Sequence, residues 1–318
     1  MMGRSASSSS LADPRLRHVV SGGTIISMVM EYNMPLYRPP SEADSLIIQA
    51  THGCSANDCT FCYMYKGKKF RIRRVEEVKA DIDWCARQWT GVTRVFLADG
   101  DALVIRTSQL LEILGHLHKK FPRLERVTSY ANPLNLIAKP QADLDAIRQA
   151  GLTMLYYGVE SGDPEVRRQV KKKGDPETMA AGVDKAHAAG FEISVTVLLG
   201  LAGRAGSDRH ADCTAALLNR LQPEYASALT LMLGPLEPVF AKSMGPGFQC
   251  LDKTEALTEL RRLIGGLELK STVFRTNHAS NWLPLKGTLN RDREALLKTI
   301  DRALADPRML RKDEWRAL

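Results

Sequence analysis

The 318-residue sequence has no uninterrupted run of about 18 apolar residues, the length a helix needs to cross a bilayer core, so no membrane-spanning helix is expected. Its first residues, MMGRSASSSSLADPRLRH, lack the apolar stretch of a secretory signal. They also carry Asp13, unlike an acid-poor organelle transit peptide, so a short disordered tail on a cytoplasmic protein is expected. No solenoid-type repeat recurs, and no linker interrupts the middle of the chain. Cysteine is scarce. Of the six, Cys85, Cys213 and Cys250 stand alone and read as packing residues, whereas Cys54, Cys59 and Cys62 crowd into one short segment. With disulfides not expected in the cytoplasm, such a crowd points to a metal site or to catalysis.

What is plentiful is ordinary globular material. At 44% hydrophobic and 25% charged residues the chain can bury a full core. Acids are the minority, 36 against 44 Lys plus Arg, and the resulting formal charge of +8 favours anionic partners without naming one. Much of the excess is local. Lys66, Lys68, Lys69, Arg71, Arg73 and Arg74 occur with no acid among them, and Lys171, Lys172 and Lys173 form a second cluster. Each reads as a solvated basic loop or as a phosphate or nucleic-acid contact.

From Ser45 onward, short β-branched runs alternate with segments of helical period. Strands are expected at residues 46–51, 94–99, 126–131, 154–160, 192–200 and 226–233, and amphipathic helices at 75–89, 108–121, 141–151, 177–190, 207–221 and 253–269. Ser108 and Ser207 or Asp208 suit helix N-caps, and Gly151 and Gly190 suit C-terminal caps. Six strand–helix repeats imply right-handed crossovers and a parallel sheet, either doubly wound or curled toward a barrel. In either case the chemistry belongs at the carboxyl ends of the strands. The section after the sixth helix, VFRTNHASNWLPLKG and LNRDREALLKTIDRALAD, reads as a strand, an irregular segment and a closing helix.

The loop after the first strand, THGCSANDCTFCYMYKG, spaces its cysteines C-x4-C-x2-C. Three thiolates in one loop can hold three irons of a cubane and leave the fourth open to a cofactor or substrate. The rival is a closed zinc site with His52 as fourth ligand, a structural site in a non-enzymatic binding protein.

This loop, placed after the first strand of a six-fold β/α series and with Phe61 before its last cysteine, resembles the radical S-adenosylmethionine (radical SAM) superfamily, although most members use C-x3-C-x2-C. YYGVESGDPEVRRQVKKKGD and VLLGLAGRAGSDRHADCTAALLN resemble the fourth- and fifth-strand motifs of the branch containing the Elongator catalytic subunit, oxygen-independent coproporphyrinogen oxidase and the methylthiotransferases. QATHGCSANDCTFCYMYKGKKFR and FRTNHASNWLPLKGTLNRDREALLKTIDRAL are similar to a group of single-domain radical SAM proteins; the likeness runs from about Tyr37 to Ala305. It implies an α/β fold, a partial (β/α)6 TIM-like barrel. Residues 1–36 would be an N-terminal tail, 37–270 the core, and 271–318 a short extension closing the barrel. It also implies a [4Fe-4S] cluster and S-adenosylmethionine (SAM) as cofactors. Reductive cleavage of SAM would give a 5′-deoxyadenosyl radical that takes hydrogen from the substrate.

On this resemblance Cys54, Cys59 and Cys62 are cluster ligands, and Phe61 packs near the adenine. Gly100 and Asp101, in FLADGDAL, stand where a Gly-Gly-Glu motif hydrogen-bonds the methionine ammonium, with Asp in place of the usual Glu. Asn132 and Glu160 end the third and fourth strands, where relatives contact SAM, though a strand-end glutamate can equally serve a structural ion pair. Lys173, or its neighbour Lys172, falls near the residue that neutralises the SAM carboxylate, and Leu198 would touch adenine. Beyond the sixth unit, Arg275, Asn277, His278, Ser280, Asn281 and Trp282 form a polar stretch that either faces substrate, with His278 and Asn281 as candidate catalytic residues, or satisfies its own backbone.

The sequence shows neither a second cysteine cluster, which argues against methylthiolation, nor room before the barrel for a cobalamin domain. Two chemistries remain for the radical reading. One is hydrogen abstraction from a small or anionic substrate, served by a reductase, flavodoxin or ferredoxin as electron donor. The other is radical modification of tRNA or another nucleic acid, suggested by the basic loop although no appended RNA-binding domain is visible.

Overall fold

In the computed structural model, which describes residues 30–316, all six expected strands form and each is followed by helix. β1 (Leu46–Gln49) leads into a small antiparallel ladder of β2 (Thr51–His52) and β3 (Arg71–Ile72), then α1 (Val75–Gln88). β4 (Arg94–Ala98) precedes α2 (Thr107–Lys120), and β5 (Arg126–Ala131) precedes α3 (Pro133–Ala138) and α4 (Gln141–Gln149). β6 (Leu152–Glu160) is followed by α5 (Pro164–Gln169) and α6 (Pro176–Ala188), and β7 (Glu192–Leu199) by α7 (Gly203–Leu221). β8 (Tyr225–Thr230) leads to α8 (Glu237–Met244) and α9 (Lys253–Gly265). The extension is β9 (Thr272–Arg275), β10 (Lys286–Leu289) and α10 (Arg293–Ala305).

The strands form one sheet in the order β1-β4-β5-β6-β7-β8-β9-β10. Pairing is parallel as far as β9, and β10 is antiparallel to it. This is the partial TIM-like barrel that the family resemblance implies, and it decides between the two sheets that the alternation left open. The extension continues its wall by two strands, and β1 and β10 remain the edges. No helix among the described residues is long and apolar enough to cross a membrane.

Side-chain alternation explains why these segments are strands and where the hollow lies. In β7, Ile193, Val195, Val197 and Leu199 are buried toward the helices, whereas Thr196 and Leu198 stay partly exposed on the inner face. The amino end of the barrel is plugged by Phe96, Tyr130 and Tyr156, whose rings meet edge to face at 5.2–6.2 Å. Beneath them the buried Glu42 accepts hydrogen bonds from Tyr156 Oη at 2.5 Å and Arg126 at 2.7 Å. These rings and Glu42 fill part of the barrel interior.

The boundaries differ from expectation at two caps. α2 starts at Thr107 and α7 at Gly203, so Ser108 and Ser207 lie inside their helices and cap nothing. Ser207 instead donates to the buried Glu259, which also holds the backbone N–H of Gly200 at 2.7 Å. Gly151 and Gly190 do follow α4 and α6 with positive φ, as C-terminal caps. The expected tail lies outside the described residues as far as residue 29. From Met30 the chain is held to β1, with Tyr32 Oη donating to Ile47 O at 2.8 Å.

Candidate active site

The cysteine loop is anchored by a residue outside it. Asp99, fully buried just past β4, accepts from Gly53 N at 2.8 Å, Gln49 Nε2 at 2.9 Å and Lys68 Nζ at 2.6 Å. Lys68 also reaches Pro35 O at 2.9 Å, and Gly100 N donates to Gly53 O at 3.0 Å. A buried ion pair survives only when its remaining hydrogen-bonding capacity is filled, as it is here. Lys68 therefore does not belong to a solvated basic loop. Its neighbours are engaged as well: Arg73 binds Asp81 at 2.5 Å, and Arg71 and Arg74 both meet Glu77. Composition showed six cations without acids because the partners of four of them lie outside that run, 31 residues away for Lys68.

Cys59 is buried, and Cys54 and Cys62 are half-buried. Burial pushes the Cys54 thiol up to about 11 and the Cys62 thiol up as well, so the loop favours neutral thiols until a cation offsets the thiolate charge. The segment after α5 closes over the loop: Thr60 N donates to Val170 O at 3.0 Å, and Cys59 Sγ lies 3.8 Å from Lys171 O.

Gly100 packs directly on the first cysteine. A Cβ there would stand 2.9 Å from Cys54 Cβ and 3.2 Å from the Tyr65 ring, so a side chain would displace the loop. Next to it, Asp101 is fully buried with its Oδ2 bonded by Ser55 Oγ and Asn135 Nδ2. Its Oδ1 makes no hydrogen bond of good geometry among the described residues; burial raises its pKa, and Ser55, Asn135 and the nearby backbone N–H of Val104 offset this only in part. Asn135, which the sequence did not single out, sits one turn into α3. Asn132 itself caps that helix, its Oδ1 accepting from Leu134 N at 3.0 Å.

β6 ends on Glu160 at φ 62°, a left-handed conformation that is uncommon outside glycine. Its Oε1 pairs with Lys172 Nζ at 3.0 Å, the two side chains being 12% and 19% exposed. Burial would lower the Lys172 pKa, but the Glu160 carboxylate and Cys59 more than offset it and the net shift is upward. At Gly158 a Cβ would lie 2.2 Å from Glu160 Oε1 and 2.7 Å from Lys172 Nζ, so a side chain there would push the ion pair aside. Lys173 points the other way, to Asp58 at 3.2 Å on the exposed surface. Of the two lysines, Lys172 is the one beside the cysteines. The fully buried Arg167, also missed from sequence, fixes this corner by donating to the carbonyls of Val159, Ser161, Lys173 and Gly174 at 2.6–3.0 Å. Phe61 and Leu198 share one apolar cluster with Cys59, Cys62 and Leu231.

The extension is less uniform. Asn281 is buried with its amide fully engaged: it donates to Ala228 O at 2.8 Å and Thr276 O at 3.0 Å and accepts from Thr230 Oγ1 at 2.8 Å. That makes it a staple between β8 and the segment after β9, and it keeps no donor for a substrate, contrary to the catalytic expectation. His278 is half-buried with Nδ1 bonded to Ser280, while Nε2 makes no hydrogen bond among the described residues. Burial, aided by Arg311, lowers its pKa, so the ring is neutral at pH 7. Trp282 is held by Asp313 and by Arg316, whose guanidinium lies 3.5 Å from its ring centroid.

These residues suit a three-thiolate cluster with an amino-acid ligand beside it. The donor set holds three cysteines on one loop, and an unpartnered, buried carboxylate oxygen stands next to the first of them. They do not suit one zinc ion. His52 lies in the β2–β3 ladder paired with Arg71, and among the described residues no group of three or more His, Cys, Asp or Glu is placed to hold one ion. A cubane instead takes each thiolate on a different iron.

The comparisons agree with this geometry. The family model of the Radical SAM superfamily matches residues 48–213. A Methanocaldococcus jannaschii protein named as a methylthiotransferase is 25% identical over 179 residues, 52% of this chain and 38% of its own. The GTP 3′,8-cyclase of Pseudomonas entomophila is 28% identical over 166 residues, 50% of this chain and 46% of its own. The chain thus spans less than half the length of these curated relatives. Coproporphyrinogen III oxidase from Escherichia coli, itself a radical SAM enzyme, shares the fold with a TM-score of 0.56 at 18% identity, covering 70% of this chain and 51% of that one.

Proposed function

The chain belongs to the radical SAM superfamily and is an enzyme with a [4Fe-4S] cluster and SAM as cofactors; from that premise we propose that it abstracts hydrogen from a small substrate bound at the open end of the barrel. Bound together, the two cofactors supply reductive cleavage of SAM and, from it, removal of a hydrogen atom from the substrate. The protein's part is to bind, orient and exclude water.

In this reading Cys54, Cys59 and Cys62 hold the cluster. Asp101 accepts a hydrogen bond from the methionine ammonium through Oδ1, and its Oδ2 is kept in place by Ser55 and Asn135. Lys172 lies where it can meet the methionine carboxylate, while its pairing with Glu160 keeps it charged. Phe61 and Leu198 offer the apolar surface for adenine, and the backbone around Gly100 and the capped turn at Asn132 shape the rim. His278 Nε2 is free to give or take a proton at the substrate. An external one-electron donor, a flavodoxin, ferredoxin or dedicated reductase, completes the cycle.

One observation carries the assignment of the SAM pocket: a buried carboxylate oxygen without a partner, beside the first cysteine. Such an atom is costly to leave unsatisfied, and an ammonium satisfies it. Modification of nucleic acid is less favoured, because four of the six cations of the basic loop that suggested it, Lys68, Arg71, Arg73 and Arg74, pair with Asp99, Asp81 and Glu77. The test is anaerobic reconstitution followed by iron and sulfide analysis and an assay for 5′-deoxyadenosine with SAM and a strong reductant. A brown protein that forms 5′-deoxyadenosine, with both properties lost in Cys59→Ala, supports the reading. A colourless protein that forms none defeats it.

A further inference from the structure

Two cations face each other across the last pair of strands with no acidic partner among the described residues. On the inner face of the barrel wall, Ser227 of β8 is level with Arg275 of β9, and Arg275 is directly opposite Lys286 of β10. The intervening residues Phe274 and Gly287 face the other way: Phe274 is fully buried in the main core, and a Cβ on Gly287 would meet Asp292 and Leu296 at the helix side. Residues directly opposite in an antiparallel pair have Cβ atoms about 4.5–5.5 Å apart, and like charges there are destabilising.

Elsewhere in this protein, exposed arginines find carboxylates. Arg261 pairs with Asp301, and Arg291, in the turn after β10, pairs with Asp292 at 2.9 Å. Arg275 does not. Its Nη1 donates only to Phe274 O at 2.9 Å and to Gly287 O at 3.5 Å, and neither Arg275 nor Lys286 has an acidic partner among the described residues. Asp292, the acid nearest to Lys286 in sequence, is taken by Arg291 and by Thr288 N. Lys286 is exposed and Arg275 half-buried, so this like-charged pair is open to an anion from solvent.

Its position fits a substrate better than a cofactor. Along the sheet register, Gly158, Thr196, Ser227 and Arg275 form one inner row, so Arg275 stands across the wall from the Glu160–Lys172 corner, with the hydroxyls of Thr196 and Ser227 between. A guanidinium offers two parallel donors to a carboxylate or phosphate, and the opposing ammonium adds a third from the other side. We propose that Arg275 and Lys286 are the recognition pair for a carboxylate or phosphate group on the substrate, which makes that substrate a small organic acid or phosphate ester. This rests on the reading of the barrel mouth as the reaction site.

The pair can be tested on the full chain without the cluster. Binding of inorganic phosphate and of succinate is measured by isothermal titration at low ionic strength on the wild type, Arg275→Gln, Lys286→Gln and, as control, the exposed Lys298→Gln on α10. Melting temperatures are followed in parallel. The expected result is that one probe binds wild type and K298Q alike and about tenfold or more weaker in R275Q and in K286Q. Without probe, the two variants should melt at or above the wild-type temperature, because a repulsion has been removed. Preference for phosphate identifies a phosphate ester, and preference for succinate an organic acid. Absence of binding by both probes, or binding unchanged in R275Q and K286Q, overturns the proposal. A brown, 5′-deoxyadenosine-forming protein that fails this test would leave the cofactor assignment standing, so the two failures are separable.

Discussion

Lys68→Met tests whether the buried pair with Asp99 holds the cysteine loop in place. Lys68 and Asp99 are 4% and 0% exposed and 2.6 Å apart, so the substitution leaves a carboxylate in the interior with only Gln49 Nε2 and Gly53 N as donors. Removing one partner of a buried pair costs about 3–5 kcal/mol, which for a chain of this size lowers the melting temperature by on the order of 10 °C. Lys66→Met is the comparison. Its ammonium is exposed and reaches only Asn57 O at 2.7 Å, so the expected change is within about 0.5 kcal/mol. The two variants lose the same charge from the same loop and differ only in burial. Thermal unfolding and iron content after anaerobic reconstitution are read on both, and K68M should lose stability and iron together because Asp99 also positions Gly53, next to Cys54. If K68M melts with wild type, or if K66M is equally damaged, the anchoring argument is wrong and the loop responds to charge alone.

Three further outcomes are expected. Asp101→Asn removes the carboxylate beside Cys54 and should weaken SAM binding by about 1.5–3 kcal/mol, roughly 10- to 100-fold by titration calorimetry, with the iron content unchanged. Asn281→Ala breaks three buried hydrogen bonds and should cost about 1–3 kcal/mol in urea unfolding while leaving cluster and SAM binding intact. His278 has its pKa depressed below the ordinary 6.5 by burial and by Arg311, so the unfolded chain binds the proton more readily than the folded one. Its contribution to stability is present above pH 6.5 and is lost as the pH falls through the depressed value. Melting curves from about pH 8 to about pH 5 should therefore fall less steeply in His278→Gln than in wild type.

The strands and helices were legible because their signals are local. Period-two and helical patterns place β1 and β4 through β8 within a few residues, and the cysteine spacing marks the chemistry at the first loop. Gly100 and Asp101 could be singled out because they follow a strand at the end where sites form. What failed were features whose partners lie far along the chain. Ser207 looked like a cap because the Glu259 that binds it is on another helix. Asn281 looked catalytic because the three groups that occupy its amide come from β8 and from the turn after β9. Lys172 could not be chosen over Lys173 without the turn that aims one at Glu160 and the other at Asp58.

By itself, then, the sequence determined the order of elements, the parallel sheet and the three-thiolate loop. These follow from side-chain periodicity and from spacing along the backbone. Tertiary structure decided which charged and polar groups are engaged and which stay open. Asp99, Lys68, Arg167 and Asn135 became part of the site, four of the six cations of the basic loop found acids, and Arg275 came to face Lys286. The reason is that an ionic or hydrogen-bonding group acquires its role from the partner that desolvates or satisfies it, and only the folded chain brings together residues that lie tens of positions apart.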